Sequence, residues 1–255
     1  KSQKNKIDSK HFGTVLLNDN YKLNQYDWKK APINIFSMVP QAGYNPDDGA
    51  ILGVQANYRI NRFLQEPFGS KHSFGATFTT STAGVNLTYK GIFPNLSNDW
   101  RFEIVARYST PNFAQNFFGY GNETKNVVKD GSNYYRVRMQ NIHLEPSYKM
   151  YSSGGVIFGF SSSFDYLKVH KTAERFIMQE YNLEPNLYSG QFYATPKINF
   201  DFENYNKPHN PTLGFGFHLE AGWKINLEEI KRDVPYLNSS LNFNLPLDQA
   251  GKLVF

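Results

Sequence analysis

Among residues able to do acid–base or metal chemistry, one pattern occurs twice: His143-Leu-Glu145 and His218-Leu-Glu220. On an extended strand, residues two apart share a face. Each pair could therefore supply two metal ligands, or a general acid beside a base. A catalytic zinc site takes three protein ligands, and covalent catalysis takes an activated nucleophile. Neither copy has either companion in the sequence. The competing reading is structural, with charges on a polar face pairing with one another and with water. That reading extends to Arg59, Arg101, Glu103, Arg107, Arg136, Arg138, Glu145, Asp165, Asp201, Glu203, His218 and Glu220, taken together as one interior charge network. Asp47 and Asp48 beside Asn45 are oxygen-rich but lack the spacing of a calcium loop. Gly119-Tyr-Gly121 lacks the strand–helix setting of a phosphate loop. No catalytic residue, metal site or cofactor is expected.

The elements that must carry these residues are strands. From Ala50 to Ile60, apolar Leu52, Val54, Ala56 and Tyr58 alternate with Gly53, Gln55, Asn57 and Arg59, and the same period returns from Leu213 to Ile225. Ten segments read this way: Ile33–Val39, Gly49–Phe63, His72–Thr80, Gly84–Phe93, Trp100–Tyr108, Tyr134–Tyr151, Val156–Val169, Phe192–Glu203, Leu213–Leu227 and Leu237–Leu245. Such strands have one apolar and one polar face. A transmembrane barrel turns the apolar face to lipid and the polar face to its lumen, with about ten residues per crossing. Leu52, Val54, Phe102, Ile104, Phe215, Phe217 and Leu219 are accordingly expected to face lipid, with Trp100, Tyr108, Tyr148, Tyr151 and Tyr166 at the interfaces. The sixth segment changes phase, from odd-numbered Tyr135, Val137 and Met139 to even-numbered Ile142, Leu144 and Tyr148, which predicts a β-bulge near Gln140–Asn141. Pro146 and Pro196 fall inside strands and should weaken pairing locally.

Composition fits this reading. The 255 residues have no cysteine, 16% aromatics and a net charge of +5, with a mean hydropathy of −0.55. A hydrophilic mean is what a barrel gives, since half its strand residues face water. No run of about 18 apolar residues marks a transmembrane helix, and scattered basic residues argue against a nucleic-acid groove. Residues 1–32 are polar and without sustained period, and read as a periplasmic linker or the end of a preceding domain; residues 33–255 form the barrel part. Phe63–Lys71, Pro94–Asp99, Ser152–Gly155, Asn204–Pro211 and Pro246–Lys252 are short connections. They alternate with the longer Pro40–Asp48, Pro111–Asn133, His170–Gln191 and Glu228–Tyr236, Thr80–Ala83 being the exception. Short turns lie in the periplasm and long loops outside, so the N-terminus is expected to be periplasmic.

Three segments carry a family resemblance: Gly43-Tyr-Asn-Pro-Asp-Asp-Gly49, Pro111-Asn112 with Asn116-Phe-Phe-Gly-Tyr-Gly-Asn-Glu-Thr124, and Tyr134-Tyr-Arg-Val-Arg138. They resemble the bacterial surface antigen family of outer-membrane barrels, the superfamily of the insertase BamA and the two-partner-secretion translocators. The wording is most similar to a Bacteroidetes branch whose barrel follows a metallophosphatase domain. The resemblance implies an all-β, transmembrane antiparallel β-barrel in which about ten of sixteen strands are present, an eleventh starting near Lys252. A complete ten-stranded barrel ending on Phe255 is the alternative. It also implies a role in outer-membrane protein insertion or transport without chemistry of its own. An anchor or passive pore for a periplasmic metallophosphatase-like domain is the second reading. Expected partners are outer-membrane lipid, lipopolysaccharide and other assembly proteins of the outer membrane or periplasm, and no nucleic acid.

Overall fold

A computed structural model of the chain describes residues 33–62, 65–97, 100–119, 133–152, 154–180, 188–207, 210–228 and 233–247. They form β1 (Ile35–Asn45), β2 (Gly49–Arg62), β3 (Gln65–Thr79), β4 (Val85–Ser97), β5 (Trp100–Ser109), β6 (Ala114–Asn116), β7 (Arg136–Tyr151), β8 (Val156–His170), α1 (Phe176–Glu180), β9 (Gln191–Tyr205), β10 (Gly214–Asn226) and β11 (Val234–Asn244). Every pairing is antiparallel, and the order β1-β2-β3-β4-β5-β7-β8-β9-β10-β11 follows the chain, with the short β6 beside β7. The fold is all-β, and all ten expected segments are strands of one sheet. Among the described residues β1 and β11 are its two edges, and they do not pair with each other.

Alternation explains which face is which. The side chains buried among polar residues are Ser70, Thr79, Glu103, Ser147, Ser163, Thr195, Asn199 and Asn226, while Leu52, Phe74, Phe78, Leu87, Phe160, Phe164, Ile198 and Phe215 are exposed. Crowding falls on the concave side of a curved sheet, so the polar face is the inner one. A soluble sandwich buries the opposite set. At the β1–β2 hairpin, Asn45 accepts the Asp47 amide on its side chain, and Gly49 takes the left-handed conformation that three-residue hairpins need.

Four expectations are corrected. Strand β1 runs on through Pro40 to Asn45, because an edge strand tolerates a missing donor; the expected Pro40–Asp48 loop is only a three-residue turn. Likewise Gln65–Ser70 belongs to β3, not to a connection. The bulge at Gln140–Asn141 does not form: the β7–β8 register is unbroken from Arg138↔His170 to Leu144↔Phe164. Tyr135 and Val137 are instead buried on the odd side of β7, where Tyr135 meets Phe118 at 4.9 Å and Phe176 at 5.1 Å. Loop residues cover that end of the strand, so its apolar phase answers to them. Tyr151 faces the concave side, bonded to Glu103 at 2.9 Å. The two prolines fall where ladders skip: β7–β8 pairing passes from Leu144↔Phe164 to Ser147↔Ser161, and β9–β10 from Gly222↔Lys197 to Ile225↔Ala194. Residues 1–32 and 252–255, and most of the Gly119–Thr124 motif, lie outside the described residues.

Candidate functional site

The concave face carries a chain of paired charges. Glu103, only 5% exposed, meets Lys149 at 3.4 Å and Lys90 at 3.8 Å. Arg101 lies over the Tyr151 ring at 3.9 Å. Each His-x-Glu motif has the same complement. His143 stands directly across from Asp165 in the β7–β8 register and bonds it at 2.7 Å. His218 stands across from Asp201 and bonds it in the same way. Within the first motif His143 is 3.5 Å from Glu145, which Lys197 holds at 2.7 Å from two strands away. In the second, Tyr236 donates to Glu220 at 3.0 Å. Arg107 is the β5 partner of His143. Arg59 faces Lys71 across β2–β3 and keeps its Nε shielded. Glu203 is exposed near the Gly155 turn, where its amide donates to the Gly155 carbonyl.

Apart from the exposed Glu203, these carboxylates and imidazoles are committed to cations, tyrosines and each other. Among the described residues no group of three His, Cys, Asp or Glu side chains is placed to hold a metal ion. Polar groups shielded from water need such partners, so the arrangement braces the wall. Sequence reasoning named the arginines and acids but missed Lys90, Lys149, Lys197, Tyr151 and Tyr236. The strand phase held that signal: Lys149 and Tyr151 are odd like His143, and Lys197 is odd like Asp201.

Arg136 and Arg138 are set apart from this network. Unbroken register puts Arg138 on the even side of β7 with Ile142 and Leu144, opposite His143 and Glu145, and Arg136 is the first residue of the same strand, beside Asn116 of β6. They lie at the end of the wall bearing the β1–β2, β3–β4, β5–β7 and β8–β9 connections. A polar cavity of about 180 Å³ there is lined by Asp47, Thr82, Asn112, Arg136, Arg138 and Arg175, among others. Asp47 pairs with Arg136, Arg175 donates to the Asn133 carbonyl, and Asn112 donates to the Thr82 carbonyl at 2.7 Å. Burial, then the neighbouring Arg138 and Arg136, pull the Arg175 guanidinium below its ordinary pKa, against Glu174. The three segments that carry the family resemblance thus meet at one place: Asp47 from the first, Asn112 and Phe118 from the second, Tyr135 and Arg136 from the third.

A single antiparallel sheet with a shielded, ion-paired face and a bare apolar face is the wall of a β-barrel of the membrane type. No family model matches the chain, and no curated protein matches it. Among solved structures it is similar to BamA from Haemophilus ducreyi, in a structure lacking POTRA domains 1–3. The TM-score is 0.56 at 14% identity, covering 87% of this chain and 40% of that one. The fold is therefore that of a BamA-type barrel wall, and the chain spans less than half the length of that relative.

Proposed function

We propose that the chain forms part of an outer-membrane β-barrel of the assembly and translocation superfamily, acting in insertion or transport of outer-membrane proteins without chemistry of its own. The observation that carries the reading is the bare apolar convex face, on strands of 10–16 residues from β2 to β5 and β7 to β10, in a BamA-type fold. Water would not tolerate that face and lipid requires it. Leu52, Val54, Phe102, Ile104, Phe215, Phe217 and Leu219 belong to it by register. Among the described residues the outer edges of β1 and β11 have no strand partner, and an unpaired backbone group in hydrocarbon costs several kcal/mol. An edge left open to lipid is therefore costly, and those two edges are where pairing with another segment would add most.

The ion-paired concave face favours a second reading, a static anchor or pore for a periplasmic domain such as the metallophosphatase of the Bacteroidetes branch. Depletion of the full-length protein separates the two. Falling levels of other outer-membrane barrels support insertion or transport, whereas unchanged barrels with release of a periplasmic enzyme support the anchor. Membrane placement is tested by cysteine scanning along β10. Lipid-soluble reagent should label positions 215, 217 and 219, and water-soluble reagent 218 and 220; equal labelling of both phases ends the barrel reading. With the N-terminus periplasmic, protease added to intact cells should cut tags in Pro111–Asn133 and His170–Gln191, and spare tags at 206–211, between β9 and β10. The inverse pattern reverses the topology.

A further inference from the structure

We infer that the convex face of β7–β9 binds one phosphate-bearing lipid of the surrounding membrane, its acyl chain in an apolar groove and its phosphate on Arg138 and Lys168. The inference rests on the membrane-barrel reading and names a ligand for it. A groove of about 520 Å³ is lined by Ile142, Leu144, Phe164, Tyr166, Phe192 and Leu227, with Tyr193 and with Asp165, whose carboxylate is bonded to His143. Ile142, Leu144, Phe164 and Phe192 are all exposed. Cross-strand partners share a face, so successive convex rungs of β7 and β8 can be read in order. They run Leu144↔Phe164, Ile142↔Tyr166, Gln140↔Lys168 and Arg138↔His170. The change from wholly apolar to basic takes one rung.

Spacing along a strand is about 3.3 Å per residue. Lys168 therefore stands about 7 Å beyond Tyr166, and Arg138 about 13 Å beyond Ile142. That is the depth over which an acyl chain gives way to its headgroup. Arg138 also lines the cation-rich cavity with Arg136 and Arg175, while His170, its cross-strand partner, holds a shielded Nε2 that has no hydrogen-bond partner among the described residues. Among the described residues, Asp47 answers Arg136 and Glu174 lies near Arg175, two carboxylates against three guanidiniums. The opposite end of the same face differs: Trp100 stacks on Tyr148 at 4.7 Å and lies 6.4 Å from Phe160. That end has an aromatic belt and no comparable basic rung in β7–β8, where Tyr148↔Phe160 and Met150↔Phe158 are the convex pairs. An anionic lipid is thus matched at one end only, and guanidinium–phosphate bonds are charge-assisted and bidentate.

The test is native mass spectrometry of the full-length protein, purified in non-ionic detergent and titrated with three probes: bis-phosphorylated lipid A, the same lipid dephosphorylated, and inorganic pyrophosphate. The phosphorylated lipid should be retained at one site, and the other two at least about tenfold more weakly. R138S/K168S should lose about tenfold for phosphorylated lipid and nothing for dephosphorylated lipid. Phe164→Ser should weaken both lipids. Equal retention of the two lipids overturns the phosphate assignment. Pyrophosphate held as tightly as lipid overturns the groove. Indifference of R138S/K168S overturns the residues. Heat-modifiable migration and a β-type circular dichroism spectrum in vesicles report separately on the barrel, so its failure is not confused with failure of the site.

Discussion

The two faces of β10 sit one residue apart and obey different rules. On the membrane-barrel reading, Phe215, Phe217 and Leu219 need only be apolar, because fluid lipid conforms to whatever shape they present. His218 and Glu220 need particular partners, Asp201 and Tyr236, at hydrogen-bond distance. The convex face is thus specified by type alone and the concave face by identity and register. Substitutions on one should be graded by hydrophobicity, and on the other by what is left unpaired.

The largest break in that contrast should come from charge on the convex side. Phe217→Arg is expected to cost about 2–4 kcal/mol at mid-depth, with His218→Arg costing much less, both read from denaturant titration of folding into lipid vesicles. Equal costs would erase the distinction between faces. Next comes Glu103→Ala, which strands Lys149 and the Tyr151 hydroxyl in a shielded setting and should cost about 1–3 kcal/mol. Glu103→Gln should recover part of that by keeping an acceptor for Tyr151. Gly155→Ala should fall in a similar range, about 1–3 kcal/mol, because φ is +79° and a Cβ would sit 2.1 Å from the Glu203 carbonyl oxygen. The smallest effects sharpen the rule from both sides. Leu87→Met, convex and 45% exposed, and Asn238→Ala, on the exposed edge strand β11, should each stay within about 0.5 kcal/mol. A larger loss at Asn238 would mean that the edge is covered in the tested state.

This division also explains what could be read from the sequence. A two-residue period is a property of single segments, so all ten strands and the apolar set were visible without knowing any neighbour. Partners depend on register, which couples distant segments. His143 and Asp165 are 22 residues apart and meet only because β7 and β8 align as they do. The cation cluster was hidden for a related reason. Arg136 and Arg138 look like lumen charges while a bulge is assumed at Gln140–Asn141, and the apolar Tyr135 and Val137 invite that assumption. What removes it is an aromatic cap from loops far along the chain. The three-residue β6 has too few positions to show any period at all.

Ile104↔Pro146, Ser162↔Pro196 and Trp223↔Pro235 carry three prolines on three ladders of the wall. Around Pro146 and Pro196 the rungs skip. A proline gives its neighbour no donor, so stitching thins along a band that crosses the sheet from β7 to β11. A sheet stitched evenly resists bending everywhere, whereas one thinned along a line has a crease. Amides bordering that line should exchange with solvent deuterium ahead of those in the unbroken β3–β4 ladder from Lys71↔Ile92 to Phe78↔Val85, and the wall's curvature can change there without any strand being lost.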